Sequence, residues 1–396
     1  MAQAQEAPGM RFLVIVVAAV ALIAAAVTLT QSDESTVAVE PISRVNRLRQ
    51  NVDSLQARLN RLPGDASGWA QLGSSYVELA RTTTDPTYYV KAQGALEKSM
   101  KLVPDGNGEA MIGLGALANA RHDFAEAKDW ATRAQVVMPD TAEVYGVLAD
   151  ALTQLGDDNG ATDAVQRMLD LKPNIAAFTR AAYHFELHGQ EAEARSAMQR
   201  GLDSAASSDE VAFCEYQLGE LAWNARQIEQ ASVHYERGLV TSPKDPALLH
   251  GRAKVLAAQG KIDEALAGYQ DLTARAPQYI PDYARLLART GRKAEAGQQY
   301  DILAKQQKLL ESQGASDDLV ASEVAADRGD NATALRLAEA EWTKRQSVFV
   351  ADAMAWALHL NGRHAEALSY SDKAVALGWR NATVLEHRNA ILGAIR

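Results

Sequence analysis

The chain has 396 residues and a formal net charge of -10, with 47% hydrophobic but only 6% aromatic residues. This length exceeds the size at which one hydrophobic core keeps growing, so it predicts several domains or a linear repeat. The acidic charge argues against the clustered basic surface that nucleic-acid binding needs, and the single cysteine excludes an intramolecular disulfide framework. We therefore expect no nucleic acid among the partners, and we expect Cys214 to be a small buried apolar residue.

The chain begins with a tail over residues 1–11 and continues with an uncharged apolar run over residues 12–30. At about 1.5 Å per residue, such a run just spans a hydrocarbon core of about 30 Å. It predicts a single transmembrane helix, followed by a linker over residues 31–43. A cleaved signal peptide is the alternative, because residues 24–26 are three alanines that offer a cleavage site. A short tail before a first apolar helix usually stays inside, so we place the rest of the chain outside the cytoplasm.

The next predicted element is an amphipathic helix over residues 44–62. Its apolar residues recur at spacings of three and four, as in a heptad seam: Val45, Leu48, Val52, Leu55, Leu59 and Leu62. The pattern favours a helix that caps the following repeats. Alternatively, it predicts a stalk that joins two copies of the chain into a homodimer through residues 45–62, although fewer than three heptads are marginal for a coiled coil on its own.

A repeat of about 34 residues dominates the rest of the chain. Its clearest marks are prolines separated by 35, 34, 70 and 34 residues, so that one interval spans two units: Pro104, Pro139, Pro173, Pro243 and Pro277. A small residue stands twelve positions before each of them, at Ala92, Ala127, Ala161, Ala231 and Ala265. A fixed period of this size is typical of a solenoid in which each unit buries its apolar face against its neighbours.

Within a unit, apolar residues fall at helical spacings on two successive segments. In the first unit Trp69, Leu72, Gly73 and Tyr76 share one face, and in the second unit the later helix carries Ala127, Ala131, Ala134 and Pro139. This pattern resembles the tetratricopeptide repeat family, whose unit begins Trp-x2-Leu-Gly-x2-Tyr and ends at a proline. The resemblance covers residues 63–380. It implies an all-α, right-handed α-solenoid of about nine helix-turn-helix repeats, closed by a capping helix over residues 381–396.

The sequence carries none of the common catalytic signatures. Phosphate-binding loops, nucleophile elbows, zinc-protease motifs and paired cysteines are all missing. The best metal candidate is the pair His184 and His188, four residues apart on a predicted helix. Because Gly189 marks a turn there, we interpret His188 as a solvated turn residue beside an unrelated helical histidine. We therefore expect no enzyme activity, no cofactor and no metal.

The resemblance implies that the first helices of successive units line a groove that takes up a peptide or a partner helix. Carried over by position, the groove residues are Asn119, Asp150, Gln154, Tyr183, Glu186, Tyr216, Glu220, Trp223 and Lys254. The predicted function is therefore a membrane-tethered scaffold that binds a polypeptide partner. The alternative is an assembly factor or holdase for exported or membrane complexes, by analogy with anchored members of the family that act in cytochrome maturation.

Overall fold

The computed structural model describes residues 44–315 and 318–395, and every regular element within these ranges is a helix. The N-terminal tail, the predicted transmembrane helix over residues 12–30 and the linker lie outside the described residues. Among the helices that are described, none combines the length and the apolar character needed to cross a membrane.

The described residues form twenty α-helices that follow one another with short connections. The first ten are α1 Arg44–Arg61, α2 Ala66–Thr83, α3 Thr87–Leu102, α4 Gly108–Ala120, α5 Phe124–Val137, α6 Ala142–Leu155, α7 Asp158–Leu171, α8 Ile175–Leu187, α9 Glu191–Asp203 and α10 Ser208–Asn224. The second ten are α11 Ile228–Thr241, α12 Pro246–Ala258, α13 Ile262–Thr273, α14 Ile280–Arg289, α15 Lys293–Ser312, α16 Asp318–Asp327, α17 Asn331–Lys344, α18 Val348–Leu360, α19 His364–Ala374 and α20 Ala382–Ile395. A 3₁₀ turn, Pro277–Tyr279, precedes α14.

Helices α2 to α19 pack in sequence as nine antiparallel pairs, α2 with α3 and so on to α18 with α19, which agrees with the predicted number of repeats. Side chains placed before the helices set where many of them begin. In each case a carboxylate, amide or hydroxyl oxygen accepts from a backbone N–H of the first turn, which would otherwise lack a partner. These N-cap residues are Asp65, Asn107, Asp123, Asp157, Asn174, Ser207, Asp245 and Asp330.

Successive pairs are joined where a large side chain on the second helix of one pair packs against two glycines. One glycine lies on the first helix of the same pair and the other on the first helix of the next pair. Leu96 of α3 is fully buried, and a Cβ atom on Gly73 of α2 or on Gly113 of α4 would lie 2.4 Å from its side chain. Tyr235 of α11 repeats the arrangement between α10 and α12, since a Cβ on Gly219 would lie 2.3 Å from its ring. The missing side chains let the helices approach closely enough to enclose the large residue, which joins each pair to the next.

Both ends of the stack are covered by single helices. The middle of the α1 seam is buried, because Val52, Leu55 and Leu59 are 3–7% exposed and share one apolar cluster with α2 and α3. At the other end, α20 buries Val384 and Ile391 against the last pairs. These contacts are those of capping helices, which a solenoid needs at its terminal repeats.

The last helices also pack against the turns of earlier pairs. The loop between α17 and α18 lies against Gly156, where an added Cβ would be 2.6 Å from the Gln346 carbonyl oxygen. The loop after α19 meets Gly189 in the same way, with the Gly378 carbonyl oxygen at 2.5 Å. Leu187 is buried in one cluster with residues of α18, α19 and α20. The C-terminal helices therefore cover the ends of α6 and α8.

Asn107 tests how much one capping residue contributes to this stack. Its Oδ1 accepts from the Ala110 N–H at 3.2 Å, and its Nδ2 donates to the buried Ser99 Oγ at 3.0 Å. We expect Asn107→Ala to lower the free energy of unfolding by about 1–2 kcal/mol, because a helix cap and a buried hydrogen bond are lost together. Urea denaturation measures the change. The control Asp105→Ala alters an exposed residue of the same loop and should leave the midpoint unchanged.

Candidate functional site

The nine predicted groove residues all lie on first helices of consecutive pairs. They belong to α4, α6, α8, α10 and α12. At the N-terminal end of the set, Asn119 donates to the Val147 carbonyl oxygen at 3.1 Å, which links α4 to α6. Asp150 accepts from Arg180 at 2.6 and 2.8 Å, which links α6 to α8. These polar side chains therefore hold neighbouring pairs together.

The next two predicted residues contact the C-terminal helices. Gln154 accepts a hydrogen bond from Arg345, and Tyr183 stacks on Phe349 with ring centroids 6.0 Å apart and planes parallel within 1°. Tyr183 still keeps 40% of its surface exposed. This part of the predicted groove is therefore occupied by α17 and α18 of the same chain, a packing that the repeat pattern did not predict.

Three more predicted residues form a polar network between α10, α11 and α12. Glu220 accepts from the Lys254 ammonium at 2.7 and 2.8 Å and from the Tyr235 hydroxyl at 2.6 Å. The Lys254 ammonium also lies 4.8 Å from the centroid of the Trp223 ring. At this distance the cation is attracted to the ring face, so Lys254 fixes both the carboxylate and the indole.

The remaining predicted residues, Glu186 and Tyr216, lie on α8 and α10. Glu186 accepts from Asn224 at 2.7 Å, and burial, opposed by this hydrogen bond, raises the pKa of its carboxyl. Tyr216 packs against Tyr235 with ring centroids 6.2 Å apart, and burial raises the pKa of its phenol well above the usual value. The side chains of Glu186, Tyr216 and Trp223 are all half-buried, and Trp223 borders a cavity.

That cavity is a cleft of about 480 Å³ between the α10–α11 turn, the end of α14 and one face of α20. We call it the open cleft, and its lining residues are Trp223, Arg226, Ile228, Arg289, Ala382, Thr383, Glu386 and Asn389. Its volume lies in the range of about 300–1,000 Å³ that is typical of ligand sites. Of the nine predicted groove residues only Trp223 lines it, because the other walls come from a turn, from α14 and from the capping helix.

The two histidines singled out in the sequence lie together, which corrects their interpretation as unrelated. Their ring centroids are 4.2 Å apart, and His188 caps α8 while its Nδ1 donates to the His184 carbonyl oxygen at 2.7 Å. Asp158, at the start of α7, places a carboxylate oxygen 3.2 Å from His188 Nε2. The sequence offered no sign of this third residue, because it belongs to the preceding pair of helices.

Cys214 is fully buried, as predicted. Burial and the nearby carboxylates of Glu210 and Glu215 raise the pKa of its thiol to about 12. The thiolate, which is the reactive form, is therefore scarce at neutral pH.

Comparison with known proteins supports the repeat assignment. Residues 222–290, from the end of α10 through α14, match the tetratricopeptide repeat model. No curated protein matches the sequence.

Solved structures with a similar fold include the human IFIT1 dimer with m7Gppp-AAAA, which is 16% identical, with 83% of this chain and 77% of that chain covered and a TM-score of 0.50. An IFIT1 monomeric mutant with Gppp-AAAA is 15% identical over 83% of this chain and 77% of its own, also with a TM-score of 0.50. TTC0263, a thermophilic TPR protein in Thermus thermophilus, is 17% identical over 47% of this chain and 98% of its own, with a TM-score of 0.40. At such low identity the IFIT1 likeness shows the fold alone. The family match over residues 222–290 and the all-helical solenoid of the described residues agree with the predicted helix-turn-helix repeat.

Proposed function

We propose that the chain is a membrane-tethered scaffold that binds a segment of another polypeptide in the open cleft. The observation that carries this proposal is the cleft itself, about 480 Å³ of accessible space bordered by Trp223. Elsewhere the predicted groove is filled by the chain's own helices or by polar links between pairs. At the cleft, open space borders the side chain of Trp223, one of the predicted groove residues.

The lining of the cleft indicates what kind of segment fits. Trp223 and Ile228 offer apolar contact on one side, and the guanidinium groups of Arg226 and Arg289 lie at the same cleft. Arg226 uses one N–H to bind the Ala382 carbonyl oxygen at 3.1 Å, and a guanidinium carries five such donors. Tryptophan and arginine are the residues most enriched where binding energy is concentrated. The segment we propose therefore carries an apolar side chain and a neighbouring carboxylate.

Two variants of the cleft test this proposal. Asn389→Trp places a large ring at an exposed lining position, and Trp223→Ala removes the aromatic wall. We expect both to lose a polypeptide that the wild-type chain retains in a pull-down from solubilised membranes, because each changes the shape that the segment must match.

The control is Val136→Ala, on the 80% exposed Val136 of α5, which lies outside the cleft and should retain the same polypeptide. Retention by all three variants would move the binding site elsewhere. Broad, weak retention of many extended peptides would favour the assembly-factor or holdase function instead.

The membrane tether is proposed from the sequence. Residues 12–30 would form the single membrane-spanning helix, with the repeats outside the cytoplasm. Resistance of the full chain to alkaline extraction from membranes would support the anchor. Proteolysis of the repeats in intact spheroplasts would support the orientation, whereas protection until lysis would reverse it.

Three further expectations about partners and activity stay predictions. The acidic charge is the ground for excluding nucleic acid, while the fold is shared with IFIT1 structures that contain m7Gppp-AAAA. A homodimer through residues 45–62 would require Val52, Leu55 and Leu59 to leave their cluster with α2 and α3. The absence of enzyme activity rests on the lack of a recognisable motif.

A further inference from the structure

We propose that Asp158, His184 and His188 form a binding site for a divalent transition metal of the zinc class. Each of the three residues offers one ligand atom, and these atoms all lie within 4.8 Å of one another. The proposal replaces the sequence-based expectation that the chain has no metal site. It is independent of the open cleft, which none of the three residues lines.

The spacing of the donor atoms suits a tetrahedral metal. Zinc binds histidine nitrogen and carboxylate oxygen at about 2.0–2.2 Å, so two ligands of a tetrahedral ion lie roughly 3.3 Å apart. His188 Nε2 is 3.2 Å from the Asp158 carboxylate, which is this separation. The His184 donor atom lies within 4.8 Å of the other two. We expect its half-buried ring to turn toward the ion when the metal binds.

Two helices bring the ligands together from successive repeats. Asp158 begins α7, directly after the capping residue Asp157. His184 and His188 are four residues apart at the end of α8, so they share one face. A metal here would join the pair formed by α6 and α7 to the pair formed by α8 and α9.

The hydrogen bond from His188 Nδ1 orients this imidazole so that its Nε2 atom can bind a metal. Its Nδ1 must donate to the His184 carbonyl oxygen at 2.7 Å, because a carbonyl only accepts. In the neutral ring, Nε2 is then left with a lone pair that faces a carboxylate oxygen. Two acceptors at hydrogen-bond distance repel each other unless a proton or a cation lies between them. Metal-binding histidines are commonly oriented by a hydrogen bond from the ring nitrogen that does not bind the metal, as Nδ1 of His188 provides here.

A threonine ties the second imidazole to the helix that carries the carboxylate. The Thr162 hydroxyl lies 3.1 Å from His184 Nε2 and donates to the Asp158 carbonyl oxygen at 2.9 Å. The side chains of His188 and Asp158 keep 23% and 35% of their surface, so an ion can reach them from solvent. Two imidazoles and one carboxylate favour zinc, cobalt(II), nickel(II) or copper(II) over magnesium or calcium, and a water would complete the coordination.

Calorimetric titration of the purified full chain with Zn²⁺ at neutral pH tests the site. We expect one ion to bind per chain, and we expect Asp158→Asn and His188→Ala each to weaken the affinity at least about tenfold. Cobalt(II) should give the intense visible bands of tetrahedral coordination in the wild-type chain and lose them in both variants. Asp158→Asn keeps the shape of the side chain, so its effect does not depend on unfolding.

A second pair of histidines supplies the matched control. His359 and His364 have their Nδ1 atoms 3.1 Å apart and lie in the C-terminal repeats. His359→Gln should leave the zinc affinity and the cobalt spectrum unchanged. Equal affinity in the wild-type chain and both site variants, loss of binding only in His359→Gln, or no binding to the wild-type chain would each overturn the proposal.

Discussion

Replacing Tyr235 by alanine is expected to lower the free energy of unfolding by about 3–5 kcal/mol, the usual cost of deleting a buried aromatic side chain. The ring is fully buried between α10 and α12. It packs so closely on Gly219 and Gly251 that a Cβ atom at either glycine would overlap with it. Its removal would open a cavity at the junction of two pairs. Since a solenoid is held by the contacts between neighbouring pairs, this one cavity should weaken the middle of the stack.

Urea denaturation followed by circular dichroism measures this loss, and two further variants separate its causes. Tyr235→Phe keeps the ring and removes only the hydrogen bond to Glu220, so we expect a loss of about 1.5 kcal/mol. Val240→Ala alters an 82% exposed residue of the same helix and should have no measurable effect. A loss below about 1 kcal/mol for Tyr235→Ala would show that the pairs are not joined through this residue.

The second large effect is expected at Arg345, which holds the C-terminal helices on the earlier pairs. Arg345 is only 5% exposed, its Nε donates to Glu341 at 2.5 Å, and its guanidinium lies 4.7 Å from the centroid of the Phe124 ring. It also donates to Gln154 of α6. Arg345→Met should cost about 3–5 kcal/mol, because the buried Glu341 loses its closest partner.

Hydrogen exchange locates this effect within the chain. In Arg345→Met we expect faster exchange at the ends of α6 and α8, where α17 and α18 now cover Gln154 and Tyr183. Arg363→Met removes an exposed ion pair with Glu366 and should leave exchange unchanged.

Replacing both members of the buried pair, Arg345 and Glu341, by methionine should recover much of the stability, because the buried Glu341 carboxylate that lost its closest partner is removed as well. Unchanged exchange in Arg345→Met would contradict the role given to this contact.

The helix pairs could be predicted because they depend on local spacing. The alanines that mark the repeat in the sequence lie on second helices and are only 0–2% exposed: Ala92, Ala127, Ala161, Ala231 and Ala265. Only a very small side chain fits at such a buried position, so the same residue returns once per unit. The capping helix α1 follows from the same logic, since its apolar seam has to be covered.

The packing of the C-terminal helices could not be predicted in this way. Arg345 and Gln154 are separated by 191 residues, and neither position repeats with the period of the units. Arg289 and the residues of α20 were not predicted as cleft residues for the same reason, since they are far in sequence from Trp223 and do not follow the period of the repeat. Asp158 lies 30 residues from His188, so only the folded chain shows that these two side chains meet.

Site-specific photo-crosslinking in living cells tests most directly whether the open cleft binds a polypeptide. A small diazirine amino acid at Glu386, an exposed lining residue, should give one defined cross-linked product, and Asn389→Trp in the same chain should remove it. The same group at Val136, outside the cleft, should give none. Cross-linking from Val136 but not from Glu386, or a product that persists in the filled cleft, would contradict the account.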